Sequence, residues 1–520
     1  MRLPYLRGNP QQSEKSIGSF LGLNKQEVIQ ENEFADMKNM SLDAYPAITV
    51  RQKRGEIIKK IAKPSGLFYK NGLMYADGTS LYYKDKKIAT VSDSRKQIVG
   101  IGAYAVVFPD KITYNTSTGE VKQMEETWTQ SGSATFAQTT SGSTLVKITC
   151  TGIGKKFSQY DAVVISGCTN ASFNKSSVLQ EVADNYVVVT GSLSSQFTQS
   201  SGLTLKRTVP DMDFVCENEN RLWGCSSKNH EIYSSKLGDP ANWQSFEGIS
   251  TDSYAVTVGS DGDFTGCVSH MGYVIFFKED TIHKVFGNKP SNYQVSTSYP
   301  VRGIMKGMER TACITNETLI YAGRNEMCSY DGAQPESIGE NLKPLSFTDG
   351  IASHFGGKYY ASLKSGDEWG LYVYDLKYNA WTKEDALHLV DMTYGDGKLY
   401  CVDSEGNMFT IAGNRVENIS WMLESGDLLE GTIDNKFLRK MRFHMKLQAD
   451  SEVTISFRYD DDPQWHTAAV FKAKTYRTHV APICPRRCQK YRYRLEGCGG
   501  MTLIAESKTL GLGSDIRGDI

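Results

Sequence analysis

The 520-residue chain is long enough for two to four domains around a substantial core. Its formal charge of −1 and pI near 6.7 exclude a global electrostatic pull toward nucleic acid or anionic membrane. Gly (47), Tyr (28) and Phe (21) are abundant and helical periodicity is lacking, which points to an all-β chain.

Residues 1–60 are polar and irregular, with a short apolar stretch, IGSFLGL, and an extended arm, EFADMKNMSLDAYPAITVRQKR, broken at Pro46. Two readings of this arm stand side by side: it reaches a neighbouring subunit, or it closes a ring of sheets by pairing with the last one. Residues 61–126 hold two strand–turn–strand units, marked by the turn dipeptides Asn71-Gly72, Asp77-Gly78 and Pro109-Asp110. At about Thr127 the composition shifts to Ser, Thr and Gln, and residues 127–207 read as a small β-domain of about 80 residues looped out of its surroundings.

Strand–turn units resume over residues 208–414. Residues 211–248, DMDFVCENENRLWGCSSKNHEIYSSKLGDPANWQSFEG, pack four short strands into about 38 residues, the size of one β-propeller blade. With Leu73, Ala105, Leu222, Val274, Leu319, Tyr359 and Leu399 as reference points, the steps are 32, 117, 52, 45, 40 and 40 residues. Removing the insert brings the long step to about 37, near the propeller period. The expectation is therefore an all-β chain with a propeller of about seven blades. A linker over 415–431 and a C-terminal jelly-roll-like β-sandwich over 432–512 follow, where RFHMKL, EVTISFRY and YRYRL alternate polar and apolar residues. Residues 513–520 are expected to form an extended tail available to a neighbour.

The search for chemistry finds no catalytic constellation. The loop GSDGDFTG at 259–266 lacks the Lys-Ser/Thr of a phosphate cradle and reads as a turn between strands. Cys484, Cys488 and Cys498 with His479 have only loosely metal-like spacing and read as strand residues. Asp460, Asp461 and Asp462 before Pro463 read as a hairpin tip rather than a calcium loop. Arg517-Gly518-Asp519 carries no weight. In the basic run Arg486, Arg487, Lys490, Arg492 and Arg494 the period of two puts the arginines on one outer strand face, a subunit-contact or solvated face rather than a nucleic-acid site. A propeller glycosidase needs carboxylates converging at its channel, and nothing distinguishes Glu279, Asp280, Asp331 and Asp375 from ordinary turn acids. No catalytic, cofactor-binding or metal residue is assigned, and the chain reads as a non-enzyme without a cofactor. The 11 cysteines, odd in number and scattered through apolar runs, read as reduced, which implies folding in a cytoplasm. No apolar run approaches about 18 residues and the N-terminal residues lack an apolar centre, so neither a membrane span nor a signal peptide is expected.

Several stretches resemble a family of bacteriophage and prophage structural proteins, the tail stabilisation proteins, which look related to the propeller-bearing nozzle proteins of short-tailed phages. They are the arm EFADMKNMSLDAYPAITVRQKR, the runs GAYAVVFPDKITYNT and PDMDFVCENENRLWGCSS, and GDFTGCVSHMGYVIFFKEDTIHKVFGNKPSNYQ; FRYDDDPQW and PICPRRCQKYRYRLEGCG near the C-terminus join them. The resemblance implies a virion component in the tail, assembled in the bacterial cytoplasm as a ring of identical subunits, six in number. Such a ring sits below the portal and adaptor and closes or lines the DNA exit path, with double-stranded DNA passing without sequence-specific contacts. The alternatives are a distal-tail protein that binds host-surface glycan and a propeller glycan hydrolase or lyase.

Overall fold

Short apolar runs bounded by tight turns give the chain its repeating unit. In the computed structural model, residues 12–449, 451–473, 477–483 and 486–512 are described. The chain is all-β; among the described residues the only helical pieces are four single 3₁₀ turns. Seven four-stranded sheets recur, and each of the seven reference residues lies in the second strand of one of them. In the third sheet Phe214–Asn218, Arg221–Ser226, Glu231–Ser234 and Tyr254–Thr257 form an antiparallel meander in which every residue of the second strand is buried. Several hairpins turn on two consecutive left-handed residues, Lys84-Asp85, Glu219-Asn220 and Asn316-Glu317, whose twist matches that of the flanking strands.

The chain divides into two compact units. The first holds residues 61–312 and 330–335. It contains four meanders, with second strands Leu73–Asp77, Tyr104–Phe108, Arg221–Ser226 and Tyr273–Phe277. Consecutive meanders share cores: Met74, Leu81 and Tyr83 pack with Ala105, Val107 and Ile112, Val106 and Phe108 with Leu222 and Trp243, and Trp223 and Cys225 with Val274 and Phe276. Each buried Leu, Phe or Val contributes about 1.5–3 kcal/mol, so these seams hold the meanders side by side.

Between the second and third meanders lies the inserted domain, a single eight-stranded sheet running from Glu126–Thr129 to Phe197–Gln199. Trp128 on one edge strand and Phe197 on the other meet the same core of Phe136, Ile148, Phe173 and Val187, so the sheet curls around its own interior. Glu126 pairs with Arg207 at its base, and the chain enters and leaves this domain side by side.

The second unit contains the remaining three meanders, with second strands Thr318–Gly323, Lys358–Ser365 and Lys398–Asp403. The last meander takes its fourth strand from far upstream: Lys59 and Lys60 pair with Met408 and Asn407. The same unit contains the C-terminal sandwich. One sheet orders Met40–Ser41, Ile48–Val50, Met501–Leu512, Lys436–Leu447 and Arg477–Ala481, with Gln12–Ile17 also on Met501–Leu512. The other orders Gly22–Leu23, Glu33–Lys38, Ser420–Ser425, Tyr491–Cys498, Ser451–Tyr459 and His466–Ala473. The sheets pack face to face through Met441, Phe443 and Leu495, with an edge-on contact between Phe443 and Tyr493.

This sandwich differs from the expected domain at 432–512. It recruits five short strands from residues 12–50, and the segment read as a linker, 415–431, contributes the strand Ser420–Ser425. The physical reason is edge satisfaction: Tyr491–Cys498 and Met501–Leu512 leave backbone groups that these strands complete. Ion pairs fasten the recruited segment, with Lys508–Glu430 and Arg54–Glu384 buried on both sides. Lys508 pairs with Glu31 and Glu430, which also take Lys15. Arg54 bonds Glu384 and Asp385, and Arg51 bonds Glu417. Of the strands in residues 12–60, only Lys59–Lys60 pairs with the last meander, whereas the strands of the arm itself, Glu33–Lys38, Met40–Ser41 and Ile48–Val50, pair on the sandwich sheets; residues 1–11 and the tail 513–520 lie outside the described residues.

Candidate functional site

The loop at 259–266 and the acids Glu279 and Asp280, unremarkable in the sequence, come together in the first unit as an open polar cleft of about 610 Å³. The loop joins the outer strand of the third meander to the first strand of the fourth, Gly266–His270. The turn after Tyr273–Phe277 supplies Lys278, Glu279 and Asp280, and the end of Gln294–Ser298 supplies Thr297 and the 74% exposed Tyr299. Gly303 is required here, since a Cβ at that position would lie 1.8 Å from the Lys278 carbonyl oxygen.

The floor is built from two buried bases. The Lys278 ammonium donates to the Ser260 carbonyl at 2.7 Å and sits 4.9 Å from the Phe264 ring centroid; burial holds its pKa below the usual lysine value. One ring nitrogen of His283 lies 2.7 Å from the Ser260 hydroxyl and the other 2.9 Å from that of Thr297. Burial and the Lys278 charge push His283 down to about 4, so the ring is neutral at pH 7 and serves as a hydrogen-bonding strut. At the rim, Lys306 pairs with Asp263 at 2.7 Å and its backbone N–H donates to Glu279 at 3.2 Å. The arrangement offers carboxylates, hydroxyls and one exposed ring to a hydroxyl-rich ligand, and its amines are committed to hydrogen bonds within the chain.

The other sequence candidates fall elsewhere. Asp331 caps its own turn through the Ala333 N–H, and Asp375 is buried against Lys358 and the Lys377 N–H. Cys488 pairs in register with Lys436, and Cys498 with Ser420 and Glu452 on the other sheet; Cys484 lies outside the described residues. Among the described residues no group of three or more His, Cys, Asp or Glu is placed to hold a metal ion. Asp460 accepts the Gln489 and Lys490 N–H groups, Asp461 pairs with Lys490, and Asp462 pairs with His466 and Arg486 at the hairpin tip. The basic run is matched by acids of its own chain: Arg492 and Lys490 bind Asp427, and Arg494 binds Glu424 while stacking on Trp465. Arg517-Gly518-Asp519 lies outside the described residues.

Sequence reasoning missed Lys278, His283, Tyr299 and Lys306, whose convergence depends on a turn and a loop about 20 residues apart in the chain. A lysine closing the apolar run YVIFF was the one available signal.

No protein-family model matches the chain, and no curated protein matches it. Among solved structures it is similar to BBS1N in complex with ARL6DN, at 10% identity, 79% of this chain, 99% of that one and a TM-score of 0.28. It is similar to Hsv2 of Kluyveromyces lactis at 12% identity, over 60% and 99%, with a TM-score of 0.26. For the phage phi92 endosialidase the values are 11%, 88% and 72%, and 0.16. At these scores the likenesses carry no argument about what this chain does.

Proposed function

We propose that the protein is a structural component of a phage tail, a nozzle or stabilisation protein whose seven meanders are the blades of one propeller. In this reading a ring of six copies sits below the portal and adaptor and lines the DNA exit path. The observation that carries the reading is the seventh meander, whose fourth strand, Lys59–Lys60, comes from just before the first meander. Borrowing a strand across the ends of the repeat is how a radial array removes its free edges. The resemblance of residues 33–54 and 210–294 to tail stabilisation proteins supplies the tail assignment. Committed ion pairs on the basic strand, and a net charge of −1, suit a wall that DNA slides past.

The test is particle composition and imaging. Virions from a lysate producing this chain should contain it at the tail, resolved by cryo-electron microscopy as a six-fold ring. Particles complete without it would overturn the reading. The cleft with Tyr299 favours a second reading, host-surface glycan binding. A glycan array bound by the purified protein and lost in Tyr299→Ala would support that one, and no binding by the purified protein would remove it.

A further inference from the structure

The first strands of the third and fourth meanders, Phe214–Asn218 and Gly266–His270, face each other through side chains at matched positions. Ser269 donates to Asn218 at 2.8 Å, and two residues earlier on each strand the sulfurs of Cys216 and Cys267 lie 2.8 Å apart. Both pairs are separated by 51 residues, so the contact repeats in register. Both strands are anchored on the same core of Trp223, Cys225, Val274 and Phe276. Two thiols this close, on strands held together by a shared core and the Ser269–Asn218 bond, need to approach by less than about 1 Å to reach disulfide bonding distance. Cys267 also lines a cleft of about 270 Å³ with Arg95, Gln97 and Arg310.

We propose that Cys216 and Cys267 are a redox pair that a low-molecular-weight disulfide of the glutathione class oxidises to an intrachain disulfide stapling the third meander to the fourth. The Cys267 thiolate, having released its proton to water, attacks one sulfur of the small disulfide. A mixed disulfide forms and one thiolate leaves. The Cys216 thiolate then attacks the Cys267 sulfur and expels the second. Two protein thiols are oxidised and one small disulfide is reduced to two thiols. Burial and the Cys216 neighbour raise the Cys267 thiol well above its ordinary pKa, so the exchange accelerates with pH. Cys225, buried beneath the pair on the second strand, is the internal control.

The experiment uses the full chain, reduced, desalted and incubated with oxidised glutathione at pH 8 before alkylation and non-reducing tryptic mapping. Cleavage at Arg207 and Arg221 isolates Cys216, cleavage at Arg221 and Lys228 isolates Cys225, and Cys267 falls between Lys236 and Lys278. The expected product joins the Cys216 and Cys267 peptides, with Cys225 alkylated. In Cys216→Ser the link is lost and a stable glutathione adduct remains on Cys267; in Cys225→Ser the link persists. Wild-type protein in which Cys216 and Cys267 are alkylated as fully as Cys225, or a link running to Cys225, would overturn the proposal. The decisive readout is on wild-type protein, so it does not depend on any variant folding.

Discussion

Glu506 offers a perturbation whose size follows from its surroundings. Its side chain is buried in the C-terminal sandwich, where one oxygen accepts the Tyr493 hydroxyl and the other, Oε1, has no hydrogen-bond partner among the described residues. Burial lifts its pKa; Tyr493 and Lys508 pull it back, Glu31 and Glu430 push it up again, and the outcome is about 7 against an ordinary 4.5. The folded carboxyl therefore holds its proton more tightly than the unfolded one. Its contribution is full below pH 4.5 and is lost as pH rises through 7. At about 1.36 kcal/mol per unit, the loss across that window is about 3 kcal/mol. Glu506→Gln keeps an acceptor for Tyr493 and removes the titration, so the stability of the variant relative to wild type should rise by about 3 kcal/mol between pH 4.5 and 7.5. Hydrogen exchange of peptides covering Lys436–Leu447 and Met501–Leu512, compared at several pH values, reads this local opening without requiring the whole chain to unfold in one step. Stability curves for the two proteins that run parallel across the window would refute the reasoning.

Three further outcomes are expected. Arg54→Ala strips buried Glu384 and half-buried Asp385 of their closest cation and should cost about 3 kcal/mol, read as a lowered thermal midpoint, whereas Arg54→Met with Glu384→Leu should recover most of the loss. Gly22→Ala places a Cβ 2.3 Å from the Trp381 carbonyl oxygen at φ +89°; it should cost at least about 1–3 kcal/mol and expose residues 12–50 to limited proteolysis. A fragment spanning 126–207 should melt cooperatively by circular dichroism, because its ends pair and its core is self-contained; a featureless, non-cooperative trace would contradict the closed core.

Legibility in the sequence followed the range of the interactions. The second strand of each meander was readable because burial on both faces leaves continuous apolar runs such as YAVVF and YVIFF. Outer strands such as Val121–Gln123 and Lys86–Thr90 carry exposed polar residues beside half-buried apolar ones and gave little signal. Ser420–Ser425 was hidden by its flanks, since Asn418 and Gly426 read as linker residues while the strand's partners, Glu33–Lys38 and Tyr491–Cys498, lie far away in the chain. The cleft on the fourth meander was illegible for the same reason. Its acids look like turn acids until the loop at 259–266 folds over Lys278. The pairing of Cys216 with Cys267 was written in the repeat spacing, yet it shows only once the two strands are known to face each other.

The pairing of Gln12–Ile17 with Met501–Leu512 bears on how the protein is made. Ile17 leaves the ribosome 489 residues before its partner Glu506. At about 5–20 residues per second, the early strand waits roughly 25–100 s for its mate. Through that interval the four meanders of the first unit and the inserted domain can finish folding from local contacts, while the N-terminal strands stay open to chaperones or to a sister chain on the same polysome.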